Sequence, residues 1–164
     1  MLAYYKNLML YLLYEHLSKH KISVQETSDW KDYMDQDYHV ALKYPSDWQK
    51  NSKYSFRYGN EDGFFSFDAI TGDDLSLDQV TELDAYHAGN PYGSKPQIVQ
   101  KVIQHQQARL ILPSQDQPAI TANQAGLIVT YPRPIQLAGV EYRYFILWAH
   151  KDYILPISQT ITFI

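Results

Sequence analysis

Short segments that alternate apolar or aromatic with polar residues, broken by proline and glycine, narrow the folds open to this chain more than any other feature. Tyr38-His39-Val40-Ala41-Leu42-Lys43-Tyr44 puts Tyr38, Val40, Leu42 and Tyr44 on one face of a strand. Pro45 cannot donate to a ladder, so the strand ends there and Pro45-Ser46-Asp47 turns the chain. Tyr54 to Tyr58 and Phe64 to Ile70 repeat the alternation around a loop from Gly59 to Gly63. Segments so closely linked pair antiparallel. Ile98 to Ile103, Ala108 to Leu112, Gly126 to Tyr131 and Tyr142 to Ala149 read as further strands. The last is apolar enough to run centrally with both faces covered. Aromatics make up 15% of the 164 residues, enough bulk for a core.

Helical spacing interrupts this series. Ser76 with Gln79 forms a capping box, Asp73, Asp74 and Asp78 suit a helix N-terminus, and Gly89-Asn90-Pro91 stops the helix. Leu77, Val80, Leu83 and Tyr86 are its predicted buried stripe. Ile154, Ile157 and Ile161 predict a short final helix over Asp152 to Phe163 that frays near Thr162, with Pro156 tolerated in the first turn and a strand as the alternative for the β-branched ending. At the other end, Leu2, Tyr5, Met9, Leu12 and His16 recur at steps of three and four, and Leu13 and Leu17 widen that stripe. Tyr4, Leu8 and Tyr11 lie on other faces, so such a helix needs cover on more than one side. Residues 2–17 therefore read as a homo-oligomer contact or a membrane-proximal segment. The resulting organisation is an apolar N-terminal helix (1–21), a linker (22–36) and one α+β domain (37–164), an antiparallel sheet flanked by helices.

Composition closes several functional classes. A net charge of −4 and the lack of a basic, aromatic-interleaved stretch argue against nucleic acid. With no cysteine, the chain has no disulfide, thiolate metal site or cysteine nucleophile. The longest apolar run, Leu8 to Tyr14, is too short to span a membrane, and no signal peptide is legible. No cofactor motif occurs.

The candidate site residues each have a plain alternative. Between Arg57 and Lys95 there are eight acids and no lysine or arginine. Asp73, Asp74, Asp78 and Glu82 in that interval form an acidic patch suited to a cationic partner, or simply a solvated helix face. No EF-hand spacing accompanies them. His16 and His20 stand at i and i+4 but lack the intervening Glu of a metalloprotease helix, so no metal site is assigned. Ser46 and Ser114 sit in Pro-Ser turns without a nucleophile elbow, and no catalytic residue is assigned. Trp48 and Trp148 could wall a ligand pocket or pack the core. Arg109 alternates with Ala108 and Leu110, so it shares a face with Ile111; it would pair with Asp116 or anchor a ligand.

Four stretches carry a resemblance: Tyr38-x-Val-x-Leu-x-Tyr-Pro-Ser-Asp-Trp48, Gly63-Phe-Phe-Ser-Phe67, Tyr144-Phe-Ile-Leu-Trp148 and Ile154-x-x-Ile157-x-x-Thr160-Ile-x-Phe163. Together they resemble the PsbP/Mog-like fold family. Gln107-Ala-Arg-Leu-Ile-Leu-Pro-Ser-x-Asp-Gln117 is similar to extracytoplasmic domains attached to membrane-anchored or secreted proteins of Gram-positive bacteria. The resemblance covers about residues 30 to 164. It implies a non-enzymatic binding or assembly module at the cell envelope, acting on a protein or small ligand. A small hydrolase whose site assembles only in three dimensions is the alternative, and the unread signal peptide leaves a cytoplasmic location open.

Overall fold

The alternating segments become ten strands in two antiparallel sheets in the computed structural model, which describes residues 27–164. The smaller sheet has the order β1-β2-β10, from β1 (Lys31–Asp35), β2 (Val40–Tyr44) and β10 (Thr162–Phe163). The larger uses β3 (Gln49–Lys50), β4 (Arg57–Gly59), β5 (Phe64–Ile70), β6 (Gln97–Ile103), β7 (Gln106–Leu112), β8 (Gln124–Leu137) and β9 (Val140–His150). Its order is β3-β4-β5-β9-β8-β7-β6. Helix α1 (Leu77–Ala85) lies between β5 and β6 in the chain, and α2 (Ile154–Ser158) follows β9. The 22–36 stretch, expected as a linker, supplies β1.

Register sorts the large sheet into two faces. Phe67 is opposite Leu147, Leu147 opposite Leu127, and Leu127 opposite Leu110, a row of buried side chains on one face. The small sheet and α2 cover that face with Val40, Leu42, Ile154 and Ile157. The two layers lock through aromatic rings. Tyr33 meets Phe67 at 5.5 Å, and Trp48 stacks on Phe65 at 6.3 Å with Tyr153 against its edge at 4.9 Å. Gly63 allows this approach, because a Cβ there would lie 2.8 Å from the Trp48 ring. On the opposite face, Ile111, Ile128, Tyr144 and Ile146 receive Leu77, Val80 and Ala85 of α1. Strand β9 is therefore central and covered on both sides, as its apolar sequence implies.

Turns fix the register. Gln104 and His105 both have positive φ (49° and 64°) between β6 and β7, as do Ala138 and Gly139 (50° and 82°) between β8 and β9, the geometry of two-residue hairpins. Strand β8 runs past its predicted end at Tyr131. Pro132-Arg133-Pro134 cannot donate regularly, so the ladder shifts after Thr130 and resumes at Ile135 opposite Tyr142.

The helix-flanked α+β architecture expected from the sequence is overturned. Strand accounts for 46% of the described residues and helix for 12%, in a β-rich fold with two antiparallel sheets and two α-helices. One reason lies at the C-terminus. Helix α2 stops after Ser158, where the Thr160 hydroxyl donates to the Ile157 carbonyl and accepts the Lys43 amide. The β-branched residues that follow then pair with β2 instead of continuing a helix. The expected N-terminal helix, with His16 and His20, lies outside the described residues. The capping box of α1 forms as predicted, but its buried stripe is Leu77, Val80, Thr81 and Ala85. Leu83 and Tyr86 are exposed by 63% and 53%. The Thr81 hydroxyl, bonded back to the Leu77 carbonyl, turns inward in their place. Among the described residues, no helix is long and apolar enough to cross a membrane.

Candidate functional site

Helix α1 covers only the β7–β8–β9 half of its face of the large sheet. Over the remaining half, where β3, β4 and β5 end, a cleft of about 730 Å³ opens. Alternation supplies its floor. Arg57 is opposite Ser66 and Gly59 opposite Phe64, so Arg57 and Phe64 project from the same side. His150 reaches that side from the end of β9, paired with Gln124. Lys50, Asn51, Asn60, Glu61 and Asn123 complete the walls.

Arg57 dominates the chemistry. Its guanidinium carbon lies 3.7 Å from the centre of the Phe64 ring and 5.9 Å from that of Tyr54. It forms no ion pair with any carboxylate among the described residues, and burial lowers its pKa. A guanidinium laid over an aromatic face keeps its N–H edge available for a planar acceptor. Nearby polar groups are largely committed. Asn60 donates to Asp47 at 2.8 Å and its backbone N–H donates to the Gly63 carbonyl at 2.9 Å, which closes the β4–β5 loop. His150 Nδ1 accepts the Asp152 amide at 3.2 Å.

The residues singled out in the sequence are not brought together. Trp48 is 1% exposed and belongs to the core between the sheets, not to the cleft. Arg109 does share the face of Ile111, but its partner is Asp78, with Nε donating to Oδ1 at 2.6 Å, rather than Asp116. The sheet carries Arg109 beneath α1, whereas Asp116 sits in the loop after β7. There Asp116 accepts the Ser114 hydroxyl at 2.5 Å and the Ser94 amide at 3.1 Å. Those hydrogen bonds hold its carboxyl well below the usual carboxylate range. This network ties the Tyr92–Lys95 segment to the end of β7, since Ser114 also accepts the Lys95 amide. Ser114 thus works as a turn lock. Of the acidic patch, Asp78 is engaged by Arg109, while Asp73, Asp74 and Glu82 are exposed. No group of three or more metal-ligating side chains occurs among the described residues.

Trp148 is half-buried beside α1, where a second polar unit joins helix to sheet. The Tyr92 hydroxyl donates to Asp84 Oδ2 at 2.7 Å. Burial raises the Asp84 pKa despite that bond, and burial also drives the Tyr92 phenol far above its ordinary value. Tyr92 lies on Gly126, where a Cβ would come 2.4 Å from the phenol oxygen.

Arg57 is the cleft residue that sequence reasoning missed. The available signal was Arg57 itself, the cation bounding the acid-only interval, in an alternating segment where its face could be read. No protein-family model matches this chain, and no curated protein matches it either.

Proposed function

We propose that this chain is a non-enzymatic binding module whose cleft takes an anionic group of its ligand against Arg57. One observation carries this reading: a half-buried guanidinium, stacked on Phe64 and facing a cleft, without an acidic partner among the described residues. Removing a cation from water without a counter-charge is costly, and a carboxylate or phosphate entering the cleft offsets that cost through two parallel N–H···O bonds. The cleft volume is within the range of small-ligand sites. Lys50 and His150 add donors on the same walls. The resemblance of the Tyr38–Trp48 and Gln107–Gln117 stretches to extracytoplasmic domains supports work at the cell envelope. The cleft lining includes His150 and Ser52 but neither Ser46 nor Ser114. Among the described residues no hydrogen bond joins Ser52 to His150, so the hydrolase alternative gains no nucleophile–base pair there.

The test is an amide NMR titration with inorganic phosphate and, separately, with a short peptide bearing a free C-terminal carboxylate. Shifts should concentrate at Asn51, Arg57, Asn60 and Asn123 and disappear in Arg57→Gln with the remaining spectrum retained. Shifts spread evenly over the surface, or unchanged by that substitution, would overturn the assignment.

A further inference from the structure

The edges of the two sheets are protected unequally. Strands β3 and β10 are two residues long, and β1 carries Lys31, Asp32 and Asp35 in five positions. Short or charged edges such as these resist further pairing. Strand β6 ends the large sheet with seven residues, Gln97-Ile98-Val99-Gln100-Lys101-Val102-Ile103. It has one charge and no proline, and its register with β7 is unbroken from Gln97 opposite Leu112 to Ile103 opposite Gln106. Among the described residues, β7 is its one strand neighbour. Val102 is 69% exposed on the α1 side of this edge.

We propose that β6 pairs antiparallel with β6 of a second copy of this chain, about a two-fold axis at Gln100, joining the two large sheets into one. The strand's own sequence selects that occupant and that register. With Gln100 opposite Gln100, Val102 of each copy faces Ile98 of the other, on the same side of the sheet. Lys101 then faces Val99, and its alkyl stem lies along an apolar neighbour while the ammonium reaches water. A shift that centres the axis on Lys101 puts two ammonium groups directly opposite each other, which is unfavourable. A shift that centres it on Val99 sets Ile98 against Gln100 and leaves Val102 uncovered. A shift that centres it on Val102 also covers the valine but overlaps only Lys101–Ile103 of the two strands. The Gln100 register alone covers the valine, avoids like-charge contact and pairs all seven residues of each strand. A strand-edge interface is small, so the association is of the weak, concentration-dependent class.

The chain's lack of cysteine allows a clean test on the full-length protein. In Gln100→Cys, the two thiols face each other across the axis, and mild copper-phenanthroline oxidation should give a disulfide dimer. In Lys101→Cys they are diagonal, about 7–8 Å apart, beyond disulfide reach, and the product should stay monomeric. Sedimentation velocity supplies the independent arm. At roughly 100 µM the parent chain should self-associate, and Gln100→Lys and Gln100→Glu should each lower the association constant by up to about fivefold. An equimolar mixture of the two should regain it. Equal cross-linking at both positions, none at either, a strictly monomeric parent, or charge variants that associate like the parent would each overturn the proposal. None of these readouts depends on the Arg57 cleft.

Discussion

Tyr92→Phe tests how α1 is held to the sheet. The substitution keeps the ring on Gly126 and removes only the hydroxyl that donates to Asp84 at 2.7 Å. A bond to a charged acceptor contributes about 1.5–3 kcal/mol, and losing a buried carboxylate's donor costs a similar amount. Asp84 is partly exposed, so the lower part of that range applies and we expect about 2 kcal/mol at pH near 7. For a chain of this length, that is a fall in Tm of roughly 4–8 °C. The loss is also pH-dependent. Burial raises the folded-state pKa of Asp84 above its ordinary 3.8, and the Tyr92 bond opposes that rise. A carboxyl with a raised folded pKa contributes its full stability below the unfolded value and loses it as pH climbs through the folded one. Removing the hydroxyl pushes the folded pKa higher still. The variant should then lose more stability than the parent as pH rises from about 4, and its deficit should shrink to about 1 kcal/mol in acid, where only a neutral bond is missing. Urea unfolding at several pH values, followed by the far-ultraviolet signal, measures both quantities. A deficit under about 0.5 kcal/mol at neutral pH, or one constant across the range, would refute the reasoning.

Gly126→Ala brings a Cβ against the Tyr92 phenol oxygen, and should cost about 1–3 kcal/mol. The cost should be smaller in the Tyr92→Phe background, because the nearest obstructing atom is gone and only ring carbons at 3.0 and 3.2 Å remain, and a double-mutant cycle by chemical unfolding reads the difference. Ser76→Ala removes the side chain that accepts the Gln79 amide, at about 1 kcal/mol in the same assay. Arg57→Gln should change stability by no more than about 1 kcal/mol while abolishing phosphate-induced shifts, because relief of an unpaired, half-buried charge offsets the lost stacking on Phe64.

Local chemistry was enough to read most of the strands. Val40 to Tyr44, Phe64 to Ile70, Ala108 to Leu112 and Tyr142 to Ala149 declare themselves because a half-buried strand has period two and proline or glycine ends it. The start of α1 was equally legible, since Ser76 and Gln79 satisfy each other's backbone without outside help. The same reasoning placed Arg109 on the face of Ile111. It failed for its partner, because the acid that reaches it stands on α1 and is 31 residues away in sequence.

Tertiary structure decided whatever depended on neighbours distant in the chain. The Thr160–Phe163 segment has helical and strand character in similar measure, and the open edge of β2 settled it as strand. Leu83 was assigned to a buried stripe by spacing, yet the rotation of α1 on the sheet turned Thr81 and Ala85 inward instead. The cleft was invisible in sequence for a related reason. Arg57, Asn123 and His150 share a wall only because β4 joins β5, β5 joins β9 and α1 stops short of that end of the sheet. Periodicity reports which face a side chain occupies. What stands across from that face is a long-range contact, and the energy that selects it is absent from any local window of residues.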